Sequence, residues 1–309
     1  MTREINQMPV KTWNWLKVNG ASVDVPDNMD AAEPIEIHAA SSGEVSELPF
    51  VFEADGKTEG SVEISVDPDA NHTVVMDFKS ESGGSGDGFA SVTTRISLAK
   101  KAKLTLVQVH RLGEAFRFVN RIDADVDEKA DFHLLHVFIR GCEIYADLHS
   151  DLRARKSSLR VDTAYLTTGK HVLDINYEAA HIGESSMSDI SVMGVMCEES
   201  IKRFRGTIDF RHGAVGAKGN EIENVLLLDE GVINQTVPII LCEEEDVEGN
   251  HGATIGRLDE DMLYYMQSRG LDEDSIREML KTAYLDALLR KAPAEASAMI
   301  EKIREEENL

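Results

Sequence analysis

One stretch of the chain brings a thiol, several carboxylates and an imidazole close together. Residues 242–252 read CEEEDVEGNHG and follow an apolar run that ends at Leu241. In an extended segment Cys242 and Glu244 point to one face, because side chains alternate along a strand. With His251 a short turn away, these groups could ligate iron or zinc. The alternative is a solvated acidic turn with an incidental thiol, since charge runs are usually surface features.

The other thiols and histidines carry weaker signals. Cys142 and Cys197 each follow an apolar run, which is typical of core or strand-end residues, because free cysteine behaves as a small hydrophobe. His133 and His136 lie three residues apart in a β-like run, and this spacing sends them to opposite faces. They therefore make a poor joint metal site. The sequence also lacks a Gly-x-Ser-x-Gly nucleophile motif.

The glycine-rich stretch 83–88 (GGSGDG) does not fit a phosphate-binding loop. The residues after it, Ser91–Leu98, predict a strand rather than a helix, and the Lys-Ser/Thr pair of a P-loop is missing. We therefore predict a flexible loop here, and a chain that does not itself hydrolyse ATP.

Composition narrows the function classes further. The 309 residues carry a formal charge of −24, which argues against a general nucleic-acid binder or an electrostatic anchor on anionic lipid. Three cysteines are too few for a disulfide framework and fit a reducing cytosol. The N-terminus has no apolar signal region, and no apolar run approaches the ~20 residues of a membrane span. We expect a soluble, cytoplasmic protein.

The elements that must position these groups are short and β-like over residues 56–245. Alternation and β-branched content favour strands, as in Ser61–Val66, Leu104–Val109, Phe132–Ile139, Leu159–Ala164, Asp189–Met196 and Asn224–Leu228.

A small-residue turn recurs between these strands about every 28 residues. Such a period predicts a solenoid in which neighbouring coils bury each other's apolar faces. A β-sandwich, whose strands also recur regularly, is the alternative. The turns are Lys101-Ala102-Lys103-Leu104, Lys129-Ala130-Asp131-Phe132, Lys156-Ser157-Ser158-Leu159, Ser185-Ser186-Met187 and Gly213-Ala214-Val215.

The ends of the chain differ from its middle. Asp259 and Asp272 are good N-caps for two runs of helical period, and residues 294–307 form a third. We therefore divide the chain into an N-terminal segment (1–55), a β-helix core (56–256) and a C-terminal helical domain (257–309). The N-terminal segment is poorly patterned, and its expected anchors are Trp13, Trp15 and Leu16.

Three segments near the C-terminus form a recognisable signature. They are Asn224–Asp229 (NVLLLD), Thr236–Ile240 (TVPII) and His251–Gly256 (HGATIG), and residues 258–271 extend it. The signature resembles that of the SufB/SufD proteins of iron–sulfur cluster assembly, densely over about residues 205–290 and diffusely upstream. The resemblance implies an all-β core with added helices, namely a right-handed parallel β-helix with a C-terminal helical domain.

The resemblance also implies a function and partners. It implies a non-catalytic scaffold on which a transient iron–sulfur cluster is built and passed to apo iron–sulfur proteins. It further implies a dimer whose subunits each bind an ABC-type ATPase, SufC, through the C-terminal helices. We expect this contact on an apolar face that contains Leu263, Tyr264, Met279 and Tyr284.

The sequence departs from the family pattern at the site itself. The position of the SufB scaffold cysteine is Val232, and the SufB glutamate after the histidine is Gly252. His251 matches the interface histidine of SufD, and Cys242 restores a thiolate nearby. We therefore expect Cys242, His251 and Glu244 as cluster ligands. The missing N-terminal helical extension suggests a compact, archaeal-type member. A homodimer and a heterodimer with a SufB-like paralogue both remain open.

Two apolar strands predict where the dimer forms. Val225–Leu228 and Val237–Leu241 are apolar on both faces, and a strand of this kind is buried on both sides. One face can line the solenoid core, and the other then needs a second subunit. The alternative function is a β-solenoid interaction module, or a carbohydrate-active β-helix enzyme, without cluster binding. A co-purifying ABC ATPase would favour the scaffold over both.

Overall fold

The repeating turns build a parallel β-solenoid in the computed structural model of the chain. The structure describes residues 1–12, 17–81 and 86–309. The predicted anchors Trp13, Trp15 and Leu16, and residues 83–85 of the glycine-rich stretch, lie outside these described residues. The strand predicted after that stretch is confirmed, because residues 89–98 are extended.

Two long sheets form the solenoid, and a two-stranded hairpin precedes them. The hairpin is β1 (Thr2–Ile5) with β2 (Ala21–Asp24). The first sheet contains β3 (Asp30–Ala31), β4 (Ile35–Ala39), β6 (Lys57–Val66), β8 (Phe89–Leu98), β10 (Arg117–Val126), β12 (Glu143–Leu152), β14 (Val172–His181), β16 (Ile201–Phe210) and β18 (Ile233–Cys242). The second contains β5 (Glu44–Phe52), β7 (Asn71–Ser80), β9 (Lys103–Arg111), β11 (Asp131–Arg140), β13 (Ser158–Thr167), β15 (Met187–Met196), β17 (Ala217–Leu227) and β19 (Val247–Arg257).

From β4 onward, consecutive strands alternate between the two sheets, so each coil adds one strand to each sheet. From there on every strand pairs in parallel with the strand two places away in sequence, and the short β3 pairs in parallel with β6. Parallel pairing throughout excludes the sandwich alternative, whose sheets are antiparallel. The predicted parallel β-helix with C-terminal helices is confirmed.

The small-residue turns work as the repeat predicted. In each, a residue with a left-handed backbone precedes a small residue that is wholly buried; Lys101 (φ 60°) before Ala102 and Lys129 (φ 59°) before Ala130 are examples. The Lys101 N–H donates to the Glu128 carbonyl of the next coil at 2.8 Å. Each small side chain lets the chain turn inward, while the turn backbone bonds to the coil above it.

Among the described residues, three helices follow the solenoid. They are α1 (Glu260–Ser268), α2 (Glu273–Leu289) and α3 (Ser297–Glu307), with a short 3-10 turn at Ala294–Ala296. Two of them, α2 and α3, cover the outer face of the second sheet. The predicted N-caps are confirmed: the carboxylates of Asp259 and Asp272 accept backbone N–H groups at the starts of α1 and α2. The apolar faces of α2 and α3 pack on outward side chains of the sheet, including Val107, Val109, Leu135 and Val137.

The first part of the N-terminal segment, up to Val25, covers the outer face of the first sheet, whereas β3, β4 and β5 of the same segment join the two sheets. The buried Arg205 guanidinium donates to the Asp174 carboxylate at 2.6 Å and to the Val18 carbonyl. The Asn6 amide donates to the same carboxylate at 2.7 Å. These bonds fasten the segment to β14 and β16. In the part of the chain described, no helix is long and apolar enough to cross a membrane.

Candidate functional site

The sequence-predicted site lies at the C-terminal end of the solenoid. β18 and β19 are the last strands of the two sheets, and within the described residues no strand pairs with their outer edges. The coil that they form is therefore open on one side. An open cleft of about 640 Å³ lies at this end and is lined by Phe210, Ile240, Cys242, Glu243, Glu244, Glu245, Val247 and Gly249.

Cys242 faces this cleft from the last residue of β18. It lies in register with Phe210 of β16, which is buried in the solenoid. Paired residues of adjacent strands point to the same side of a sheet, so Cys242 occupies an inward position that no further coil covers. Its thiol is exposed and donates to the Glu244 carbonyl at 3.0 Å. The thiol is thus accessible to a ligand arriving at the open end.

Glu244 lies in the turn after β18 rather than in an extended strand. Its carboxylate accepts the backbone N–H groups of Gly213, at 3.1 Å, and Glu245, at 3.0 Å. The Gly213 N–H is the main cause of a lowered Glu244 pKa, so the group is ionised. Glu244 is close to Cys242 along the chain, but its carboxylate is engaged with the turn of the preceding coil.

His251 enters the same end from the other sheet. Along β17 the side chains of Glu221 and Glu223 are buried, whereas Ile222 between them is 43% exposed. His251 lies in register with Glu221, and Ala253 with Glu223. His251 therefore occupies an inward position directly beside Glu221, although its own side chain is exposed because no strand follows.

Charged groups replace apolar core beneath this open end. The Lys202 ammonium forms an ion pair with Glu223, and both side chains are almost completely buried. The Thr236 hydroxyl donates to Glu223 at 2.6 Å and accepts from Lys202 at 3.0 Å. Burial lowers the Lys202 pKa. Buried charges of this kind are stable only when paired and hydrogen-bonded.

Glu221 is the carboxyl group without such compensation. It is 2% exposed, and among the described residues no donor reaches its Oε2 atom. Burial, followed by repulsion from Glu223, raises its pKa to about 8. The carboxyl lies against Gly206 of the opposite sheet, where a Cβ atom would overlap it.

Sequence reasoning missed Lys202, Glu221 and Glu223. Charged residues are almost never fully buried unless paired, so only the apolar residues of β17 were expected in the core. A signal was nevertheless present, because Glu221 and Glu223 alternate in phase with Val225 (GNEIENV). That alternation places both glutamates on the core face of the strand.

The helical residues predicted to contact a partner lie on α1 and α2, which follow β19 in the chain. Tyr264 is 75% and Met279 46% exposed, while Leu263 and Tyr284 are half-buried. None of the residues of α1 is buried. An apolar surface is therefore available on α1 and the first half of α2, and further exposed apolar residues there are Met262, Tyr265 and Leu271.

The positions of the other two thiols and of the His133/His136 pair agree with the sequence prediction. Cys197 is 1% exposed, and burial raises its pKa to about 11. Cys142 is half-buried at the start of β12. His133 contacts Asp162 on the outer face at 2.8 Å, whereas His136 contacts Tyr177 inside the solenoid at 2.8 Å. The predicted opposite orientation of the two histidines is confirmed.

No group of three His, Cys, Asp or Glu side chains in the described ranges is arranged to hold a metal ion. Cys242, Glu244 and His251 thus share one end of the solenoid without forming a complete ligand set in a single chain. A thiolate and an imidazole at an open end can contribute to such a set only if further ligands come from elsewhere.

Comparison with known proteins gives a consistent result. A family model described as the SufBD core domain of the SUF system of FeS cluster assembly matches residues 51–284. The chain is 29% identical over 133 residues to the iron-sulfur cluster assembly protein SufD of Bacillus subtilis (strain 168). That match covers 43% of this chain and 30% of the Bacillus protein.

Two other relatives bear the same name. SufD of Escherichia coli (strain K12) is 24% identical over 150 residues, which are 48% of this chain and 36% of that protein. SufD of Plasmodium berghei (strain Anka) is 24% identical over 212 residues, which are 67% of this chain and 16% of that protein. The chain therefore spans well under half the length of the relatives it matches.

Proposed function

The chain belongs to the SufBD core family of the SUF system of FeS cluster assembly, and from that premise we propose that it is a cytoplasmic scaffold on which a transient iron–sulfur cluster is assembled. The observation that carries the proposal is the open end of the solenoid. There, an exposed thiol on β18 and an exposed imidazole on β19 both occupy inward positions.

Cys242 is the proposed thiolate ligand and His251 the imidazole ligand, with Glu244 as a third ligand from the turn between them. Iron–sulfur clusters are held mainly by thiolates, and their properties depend on ligand type and solvent exposure. A mixed ligand set at an exposed end suits a cluster that is to be handed on to an apo iron–sulfur protein. A scaffold of this kind needs no catalytic residues of its own.

A second subunit would complete the ligand set. β18 (INQTVPIILC) has an unpaired edge and contains no charged residue, and such an edge is a template for association with another chain. Facing copies of this end would place two thiols and two imidazoles together. The partner is either a second copy of this chain or a SufB-like paralogue that contributes its own cysteine.

The C-terminal helices would bind the ATPase. Tyr264 and Met279 contribute to an exposed apolar surface on α1 and α2, and surfaces of this kind often mark protein interfaces. Leu263 and Tyr284 lie half-buried beside them. We assign this surface to a SufC-type ABC ATPase, which would hydrolyse ATP on behalf of the scaffold.

Anaerobic reconstitution with ferrous iron and sulfide tests the assignment of the ligands. The wild-type chain should develop the visible absorbance and Mössbauer spectrum of an iron–sulfur cluster. Cys242→Ser and His251→Ala should each lose most of that absorbance while they remain folded, because both side chains are exposed and carry little of the core.

Cys142→Ser and Cys197→Ser are the matched controls, since each also removes one thiol. Both should retain wild-type cluster content. If Cys242→Ser retains the cluster and one of the controls loses it, the thiolate ligand has been assigned to the wrong residue. A wild-type chain that forms no cluster, alone or with a SufB-like paralogue, would refute the scaffold function.

A further inference from the structure

We propose that Glu221 and His251 form a binding site for a divalent metal cation, ferrous iron in the cell, inside the open end of the solenoid. The inference rests on the proposed function and adds to it a carboxylate ligand in the core. It gives a role to the Glu221 carboxyl of β17, whose burial is not explained by packing.

The strand register brings the two side chains together. Glu221 and His251 are paired residues of adjacent parallel strands, and neighbouring strands lie about 4.8 Å apart. Both side chains occupy inward positions. His251 is exposed because the last coil has no successor, so a cation can reach its imidazole from solvent, whereas the Glu221 side chain beside it is 2% exposed.

Among the described residues, the carboxyl groups inside this end outnumber the ammonium groups by one. Lys202 is the ammonium that faces the two carboxyl groups of β17, and its Nζ atom pairs with Glu223. Glu221 has an oxygen that no donor reaches within the described part of the chain. A buried carboxyl without a partner costs stability. A bound cation would supply the missing partner, in exchange for the proton of the carboxyl group.

The opposite sheet accommodates the Glu221 carboxyl only because residue 206 is glycine. The carboxyl rests against Gly206, and any larger residue at that position would collide with it. Asn234 also occupies an inward position on β18, in register with Lys202, and neither its amide oxygen nor its amide nitrogen has a partner among the residues described. The interior of the last coil is therefore polar and incompletely bonded rather than packed.

The chemistry of the pair favours a divalent transition metal. Imidazole nitrogen suits iron, zinc and similar ions, and carboxylate oxygen suits harder divalent cations, so a mixed pair matches ferrous iron. One chain would supply these two ligands, and water or a facing second copy would supply the rest. Two ligands are also consistent with the lack of any three-residue group in the described ranges.

Titration of the full-length chain with Co²⁺, an air-stable substitute for ferrous iron, tests this site. Isothermal titration calorimetry and the Co²⁺ ligand-field spectrum should report saturable binding to the wild type. Glu221→Gln and His251→Ala should each weaken Co²⁺ binding at least tenfold. Glu221→Gln conserves shape, and its thermal unfolding without metal verifies that it is folded.

Glu248→Gln is the matched control, because it removes a carboxylate from the solvent-facing side of β19, the strand that carries His251. There Glu248 pairs with Lys218 of β17. The Co²⁺ affinity of this variant should stay within twofold of wild type. Wild-type affinity in Glu221→Gln, an equal loss in Glu248→Gln, or no saturable binding to the wild type would each overturn the inference.

The outcome separates this site from the scaffold function. If Glu221→Gln binds Co²⁺ normally while Cys242→Ser loses cluster absorbance, only the proposed cation site is refuted. If the wild type binds Co²⁺ through Glu221 but forms no cluster under any condition of reconstitution, the scaffold function fails instead.

Discussion

The two ends of the solenoid differ in the residues that line their terminal coils and form their edge strands. At the N-terminal end Leu48, Phe50 and Phe52 of β5 pack on the core, and Phe50 stacks on Phe78 of β7 with ring centroids 4.9 Å apart. The edge strand there (EVSELPFVF) carries two glutamates, which discourage pairing with another chain. This end closes the core and protects its edge.

At the C-terminal end the arrangement is reversed. The edge strand β18 is uncharged, while the interior holds Lys202, Glu221 and Glu223. Apolar residues lie where an edge could associate, and charged residues lie where a core should be. Under the proposed function, the N-terminal end serves stability, whereas the C-terminal end gives up stability for binding.

The largest expected effect tests the stabilising role of the N-terminal end. Phe78 is fully buried, so Phe78→Ala should lower the free energy of unfolding by about 3–5 kcal/mol, as is typical of large core truncations. Ile240→Ala at the half-buried C-terminal end should cost about 1 kcal/mol, because it removes less buried area. Urea unfolding monitored by circular dichroism measures both. Equal losses would contradict the comparison.

The second prediction concerns association. Ile239 lies on the outward face of β18 and is half-buried, so Ile239→Lys should weaken dimerisation at least a hundredfold, or about 3 kcal/mol. Val51→Lys places the same charge on the edge strand of the opposite end, where Val51 is 64% exposed, and should leave association unchanged. Sedimentation velocity of the chain, with a SufB-like paralogue where one is required, distinguishes the two ends.

The third prediction measures the stability given up at the C-terminal end. The pKa of Glu221 rises from 4.5 to about 8, so the folded state holds a proton that the unfolded state releases. Stability contributed by this group therefore falls as pH rises from about 4.5 to about 8. At pH 7 in EDTA, Glu221→Gln should stabilise the chain by up to about 3 kcal/mol. A destabilised Glu221→Gln variant would show that the carboxylate is structurally required.

The smallest effect comes from the middle coils, where the His136 imidazole is buried and hydrogen-bonded. His136 contacts both His110 and Tyr177, and burial lowers its pKa from 6.5 to about 3. Below pH 6.5 the His136 imidazole binds a proton in the unfolded chain but not in the folded chain. The free energy of unfolding therefore falls by about 1.4 kcal/mol for each pH unit of acidification.

Urea unfolding at pH 6.5 and pH 5 should therefore show a loss of about 2 kcal/mol from His136 alone. His212, which is exposed on a turn, offers the control: His212→Gln should leave the pH dependence unchanged. Stability that is independent of pH over this range would mean that the buried imidazoles are protonated in the folded chain.

The sequence by itself determined the repeat and the helices. The left-handed turn residues and the small residues after them recur at fixed places, and the alternation of β-branched residues sets the strands between them. Asp259 and Asp272 mark where α1 and α2 begin. These are local signals, because a turn, a cap or a period depends on residues near one another in the chain.

Only the tertiary structure decided which residues share the open end. Cys242 and His251 are nine residues apart, but Glu221 reaches the same interior from the preceding coil and Lys202 from the opposite sheet. Such neighbours are set by register between strands some 30 residues apart, which no local pattern specifies. From sequence alone, a charged residue in a strand is assigned to the surface, and only strand register and coil stacking show that it is buried. For this reason the sequence identified the exposed thiol and imidazole but not the buried Glu221 carboxyl.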